Sequence, residues 1–220
     1  MAPEDSAAGM SPVSKIAWRG LVLAVQPRIR LIRSFDQRHH GYLGYALRLR
    51  GEVGGQDREF TVGIGQAAQA KHGFRVGHEI SGLAVPVGNP ELESADLYKV
   101  SGLTVLASPQ AEHTGGPPWC SVPPSLEIYR GRGHRRLDPR TYDTSCLSCI
   151  WGCRMPVEMI VDQWKPDIRH YRLETFCYGP KSCPSYRAGA TRKVPGRNNM
   201  MWEEEDWVDE EATSHRGPDE

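Results

Sequence analysis

The sequence predicts a mainly β chain: a five-stranded barrel over residues 15–107, then a small metal-bound β-hairpin module over residues 145–201. Three observations carry this. Apolar residues alternate with polar ones in five successive stretches of the first half, the period of a half-buried strand. No segment sustains a 3.6-residue apolar period for three turns, so long helices are not expected. Five of the six cysteines fall within residues 146–183, in the pattern C-x2-C-x3-C-x23-C-x5-C.

Met1–Ser14 is small, polar and Pro-containing, and is expected to be disordered. Ile16–Val25 is apolar and β-branched, and Arg28–Arg33 alternates. Together they predict one long first strand, bent at Pro27. Tyr42–Arg50 forms a second strand with Tyr45, Leu47 and Leu49 on one side and Arg48 and Arg50 on the other. Gly51–Gln56 is a turn. Phe60, Val62 and Ile64 mark the inward face of a third strand. Gly65–Gly73 holds a short Ala-rich helical turn. Arg75–Val87, with Val76, Ile80, Leu83 and Val85, is a fourth strand, and Leu97–Leu106 a fifth.

Five strands, a long first one and a small helix between the third and fourth resemble the OB-fold, a Greek-key barrel. The segment FRVGHEISGLAVPV is similar to the usual fourth strand of that fold. A six-stranded or SH3-like barrel is the alternative. Residues 108–144 read as a Pro/Gly-rich and then basic linker. Residues 202–220 read as an acidic tail.

Between the cysteine groups lies a second alternating pair of segments. Val157, Met159 and Val161 form one arm, Lys165–Asp167 the turn, and Arg169, Tyr171, Leu173 and Thr175 the other arm. Two cysteine groups bracketing a hairpin resemble a zinc ribbon. That resemblance implies that Cys146, Cys149, Cys177 and Cys183 hold one structural Zn²⁺, since four thiolates satisfy its tetrahedral preference with no open position. Cys153 is an alternate ligand. The x5 spacing of Cys177 and Cys183 is longer than the common x2. C-x2-C-x3-C with a distant Cys183-Pro184 also resembles iron–sulfur ligation, which would make the protein a redox carrier. Disulfides are the weaker reading without a sign of secretion. Cys120 stands alone in the linker.

The formal charge is zero, with 27 Lys+Arg against 27 Asp+Glu, but it is unevenly spread. Residues 202–220 carry nine acids and one Arg, and residues 15–201 carry 26 bases against 16 acids. Neutrality therefore does not exclude nucleic acid. The OB resemblance implies a ligand face on strands two and three and the flanking loops. Arg28, Arg30, Arg33, Arg38, Tyr42, Arg48 and Arg50 fall there, and Arg130, Arg132, Arg135 and Arg136 form a second basic cluster. Guanidinium groups neutralise phosphate and exposed rings stack on bases, the needs of a single-strand groove, with RNA slightly preferred. His39 and His40 lie in the loop between the first two strands and carry no assigned role.

The tail resembles in composition the acidic tails of bacterial single-strand-binding proteins but lacks their terminal apolar residue. It reads as an autoinhibitory mimic of nucleic acid, or as the dock for a basic protein partner. HExxH, P-loop, GxSxG and post-strand GxGxxG motifs are missing, and Glu158, Asp162 and Glu174 read as isolated surface carboxylates, so the chain reads as non-enzymatic. An acyl-CoA-associated accessory protein is a further alternative, although that family places the ribbon before the barrel. The apolar run Leu21–Val25 is too short for a membrane span or signal core, so a cytoplasmic location is expected. The segment Trp164–Cys183 is dense in aromatic, Arg and turn residues, as a functional surface would be.

Overall fold

A computed structural model describes residues 14–34, 38–109 and 115–220. The residues read as a disordered N-terminus lie outside this range apart from Ser14, as do residues 35–37 of the first loop. The first half contains β1 (Ile16–Arg33), β2 (Arg38–Val53), β3 (Gln56–Ile64), α1 (Gln66–His72), β4 (Glu79–Pro86) and β5 (Leu97–Ala107). These strands form a partly closed ring. Antiparallel pairs join β1 to β2, β2 to β3, β4 to β5 and β4 to β1, and a parallel contact, Val62 to Leu97, joins β3 to β5.

The ring follows from local chemistry. Trp18, Val22, Leu47, Leu49, Phe60, Val62, Ile64 and Ile80 alternate inward and are all buried. The predicted bend in β1 is real: pairing with β2 slips between Val22 and Ala24 and between Arg28 and Ile29, on either side of Pro27. Such bulges let one strand serve two sheet directions. The first part of β1 pairs with β4, and its end, Leu31–Arg33, pairs in parallel with a later strand. Gly44 sits at φ +132°, where an added Cβ would lie 2.0 Å from the Ile64 carbonyl oxygen.

The second half contains α2 (Leu126–Arg132), β6 (Arg135–Arg136), α3 (Pro139–Thr141), a π turn over Tyr142–Cys146, β7 (Gly152–Ile160), β8 (Arg169–Cys177), β9 (Arg192–Pro195), β10 (Met201–Glu204) and α4 (Asp206–Thr213). β7 and β8 form the predicted antiparallel hairpin, from Gly152 opposite Cys177 to Ile160 opposite Arg169. The hairpin is not a separate body. β7 joins β1, so that β1-β7-β8-β6 continues the barrel sheet. Cys153, Met155, Val157, Met159, Phe176 and Tyr178 share one core with the barrel residues.

One stretch differs from the sequence reading, and the acidic tail lies against predicted basic residues. The predicted linker is folded over 115–144: Leu126 and Tyr129, three residues apart on α2, are at most 1% exposed, and Tyr129 donates to the Ile150 carbonyl at 2.6 Å. The acidic segment is docked rather than solvated. Glu204 is buried and accepts from Arg33 at 3.0 Å and Arg38 at 2.8 Å. Arg136 is buried against Asp209 at 3.1 Å and against Asp206. Arg216 is buried and donates to the carbonyls of Tyr178 and Gly179 at 3.2 and 3.0 Å. Opposite charges far apart in sequence neutralise each other, which lets a strongly charged segment fold. Among the described residues, no helix is long and apolar enough to cross a membrane.

Candidate nucleic-acid interface and cysteine module

The strand register defines the outer face of the barrel. Residues directly opposite in an antiparallel pair share a face. One row across β1, β2 and β3 is therefore Ala24, Arg48, Thr61, the next is Gln26, Ala46, Gly63, and on the other side lies Leu21, Arg50, Glu59. Small residues hollow out this face. The π turn and the start of β7 rise beside it, and between them is a cavity of about 240 Å³. Ala24, Gln26, Ala46, Arg48 and Thr61 line it from the barrel, and Tyr142, Asp143, Leu147 and Arg154 from the cysteine module.

Gln26 ties the two sides together. Its amide nitrogen donates to the carbonyls of Cys146 at 3.0 Å and Cys149 at 2.9 Å, and its oxygen accepts from the Tyr142 hydroxyl at 2.6 Å. An added Cβ on Gly152 would lie 2.8 Å from both the Cys146 oxygen and this amide. Replacing Gln26 by Ala leaves the buried Tyr142 hydroxyl without its partner and takes one of two donors from each carbonyl, which keep the N–H groups of Cys149 and Gly152. The expected loss is about 1–3 kcal/mol, the cost of one unsatisfied buried group. Thermal unfolding checks this, and an unchanged melting temperature would show that the clamp carries no stability.

The eleven residues predicted to bind nucleic acid do not form one free basic surface. Arg33 and Arg136 are buried in the pairs described above. Arg28 bonds Glu93 at 2.9 Å and the Leu43 carbonyl at 3.1 Å, and its guanidinium lies over Gly63. Arg30 pairs with Glu158, which also takes Arg169. Arg38 is held by Glu204. Arg130 sits 4.8 Å from the ring centroid of Tyr42, so this pair occupies itself. Arg132 donates to the Tyr178 carbonyl at 2.7 Å and stacks on Trp151. Arg135 donates to the Pro180 carbonyl at 2.9 Å and stacks on Tyr186.

Arg48 and Arg50 are different. Both contact the Glu59 carboxylate at the surface and hold its pKa below the usual carboxylate range, Arg50 most strongly. Arg154 pairs with Asp143 at the surface and stacks on Tyr142. Exposed pairs of this kind are worth little and can be exchanged for a phosphate. No signal in the sequence marked Gln26, Tyr142 or Arg154. Glu158 and Glu174, read as surface carboxylates, are 1% and 5% exposed and pair with arginines.

His39 and His40, read in the first loop, lie at the start of β2. His40 packs against His134 with ring centroids 4.8 Å apart and planes tilted by 60°, and burial first, then Arg38 and Arg33, lower its pKa to about 4. His39 is exposed.

All six cysteines are free thiols. Among the described residues, no three or more His, Cys, Asp or Glu side chains stand in ligating geometry. Three of the four predicted ligands, Cys146, Cys149 and Cys177, share one buried cluster. Burial raises Cys146 to about 11 and Cys149 to about 12, and nearby thiols add to both: Cys177 and Cys183 for Cys146, Cys177 and Cys146 for Cys149. Cys177 is raised by burial and by Cys183. The backbone N–H of Trp151 is directed at the Cys149 sulfur, and that of Gly179 lies 3.3 Å from the Cys177 sulfur. Each N–H belongs to the second residue after its cysteine, the donor arrangement that favours a thiolate.

The other two thiols point elsewhere. Cys153 donates to the Pro27 carbonyl at 3.3 Å inside the shared core, and Cys120 to the Pro118 and Ser148 carbonyls. No protein-family model, curated protein or solved structure matches this chain. The site is therefore read from its own chemistry.

Proposed function

We propose that this protein binds single-stranded nucleic acid across the outer face of β2 and β3, with one base or sugar seated in the cleft against the cysteine module. The ring order β1-β2-β3-β5-β4, with a helix between β3 and β4, supports an OB-like barrel, whose ligands lie on that face. The observation that carries the reading is the cleft itself. It is hollowed by Ala24 and Ala46, carries hydroxyls at Thr61 and Ser94, and is bordered by Arg48 and Arg154. At about 240 Å³ it is smaller than the roughly 300–1,000 Å³ of pockets that bury drug-sized ligands, which suits one nucleotide unit and not a CoA-sized cofactor.

The role of each group follows. Arg48 and Arg50 exchange Glu59 for successive phosphates, and Arg154 exchanges Asp143 for a third. RNA and DNA both supply these contacts. The slight preference for RNA rests on the Thr61 and Ser94 hydroxyls, which are placed to meet a 2′-hydroxyl. Because the acidic segment is bonded into the body, autoinhibition is not part of this reading.

We propose with it that Cys146, Cys149, Cys177 and Cys183 hold one structural Zn²⁺. The chemistry of the set supports this reading: Cys146, Cys149 and Cys177 share one buried cluster, two of them face backbone N–H groups, and Cys183 follows in the next turn. A closed four-thiolate site supplies rigidity and no reaction. It would fix the first turn, hence Tyr142 and Arg154, against the barrel.

The test is substitution on the outer face. The double variant R48A/R50A is expected to bind oligo-U about tenfold or more weakly in mobility shifts at low salt, and its salt slope should fall by roughly two phosphate contacts. Lys71→Ala, on α1, should leave both unchanged. Equal losses in the two variants would point to diffuse attraction and not to this face.

A further inference from the structure

The loop between β7 and β8 presents an unusual side chain. Trp164 is 82% exposed, far more than any other large apolar side chain recorded as exposed. Its turn is well tied. The Trp164 N–H donates to the Asp162 carboxylate at 2.9 Å, and the Lys165 and Ile168 N–H groups donate within the loop at 3.0 Å each. Arg169 donates to the Pro166 carbonyl at 2.6 Å, and Arg197 reaches the Asp162 carboxylate at 3.8 Å. A fixed turn thus holds an indole in water, where its apolar surface is left uncovered.

The neighbours are cationic. Gln163 and Pro166, on either side of Trp164 and Lys165, line a cavity of about 660 Å³ together with Arg33, Ser34, Arg38 and His39 from the facing ends of β1 and β2. Arg38 and Arg197 are 39% and 57% exposed. This is the end of the barrel where the first two strands connect, one of the places at which an OB-like barrel takes its ligand.

We infer that Trp164 is a stacking platform for a base of the same single strand, at a second subsite beyond the cleft. Lys165 and Arg197 meet the flanking phosphates. An indole face beside cations fits a nucleobase with its backbone charge, because stacking accepts any base and the cations hold the strand. A purely apolar partner would cover the exposed Lys165 and Arg197 without meeting their charge. This rests on the proposed nucleic-acid function.

The experiment titrates labelled oligo-U, long enough to span both subsites, by fluorescence anisotropy at low salt. Trp164→Ala is expected to weaken binding about tenfold, the loss of one stacked base, with an unchanged salt slope because no phosphate contact is removed. Trp164→Phe should recover most of it. The side chain is exposed, so both variants should melt with the parent chain. Binding by Trp164→Ala within twofold of the parent, while R48A/R50A remains impaired, overturns this subsite and leaves the cleft standing. Failure of the parent chain to bind overturns both.

Discussion

Replacing Cys149 by Ser is expected to release one equivalent of zinc and lower the melting temperature by at least about 10 °C. Zinc contributes about 10–16 kcal/mol of apparent binding free energy in small finger peptides, and that binding energy is folding energy. Here the hairpin is also held by the barrel core, so only part of that range is expected: several kcal/mol, at roughly 2–4 °C each for a chain of this size. Cys153→Ser and Cys120→Ser should retain the metal, because those thiols are directed at backbone carbonyls. Metal analysis with a visible spectrum checks the assignment. Zinc retained by the Cys149 variant would contradict the ligand set, and a brown protein with broad visible absorbance would replace zinc by an iron–sulfur cluster.

The second large effect concerns Glu204. It is 4% exposed and accepts from Arg33, itself 3% exposed. Removing one partner of a buried pair leaves an uncompensated charge and costs about 3–5 kcal/mol. Glu204→Ala is therefore expected to melt roughly 10 °C lower. Truncation after Met201 should cost more, because it also strips Asp206 and Asp209 from the buried Arg136. The pair also sets a pH dependence. Burial would raise the Glu204 pKa, but Arg33 and Arg38 outweigh it and hold the carboxyl below its ordinary range. Its contribution is present above the unfolded carboxylate pKa and is lost as pH falls through the lowered native value. Melting curves recorded from pH 7 downward should show that loss in the parent chain and not in Glu204→Ala. A truncated chain as stable as the parent would contradict a structural role for the acidic segment.

These two elements were legible in the sequence to different degrees. The cysteine hairpin was readable because its information is local: spacing on either side and alternation between. The five strands and the bend at Pro27 were readable for the same reason, since Leu47, Leu49, Phe60 and Val62 alternate within single strands. The docking of Glu204 was not, because its partner Arg33 lies 171 residues away and a run of acids reads as solvated until a buried cation is found for it. The parallel pairing of β1 with β7 is equally non-local. The basic patch was the costliest inference: charge in sequence does not reveal pairing, and Arg28, Arg30, Arg33, Arg38 and Arg136 are all taken by carboxylates. The cleft had no sequence signature. It exists because Ala24 and Ala46 are small and because Gln26 binds two carbonyls more than a hundred residues away.

The central claim is that the outer face of β2 and β3 holds a single strand. The most direct measurement is anisotropy of labelled oligo-U and oligo-dT with the full chain between about 50 and 200 mM salt, where each phosphate contact changes affinity about two- to threefold. The account predicts saturable binding at 50 mM salt, a log–log slope near −2 from Arg48, Arg50 and Arg154 that steepens when the strand also reaches Lys165 and Arg197, and slightly tighter binding of oligo-U. The absence of binding to either strand at 50 mM salt would contradict it.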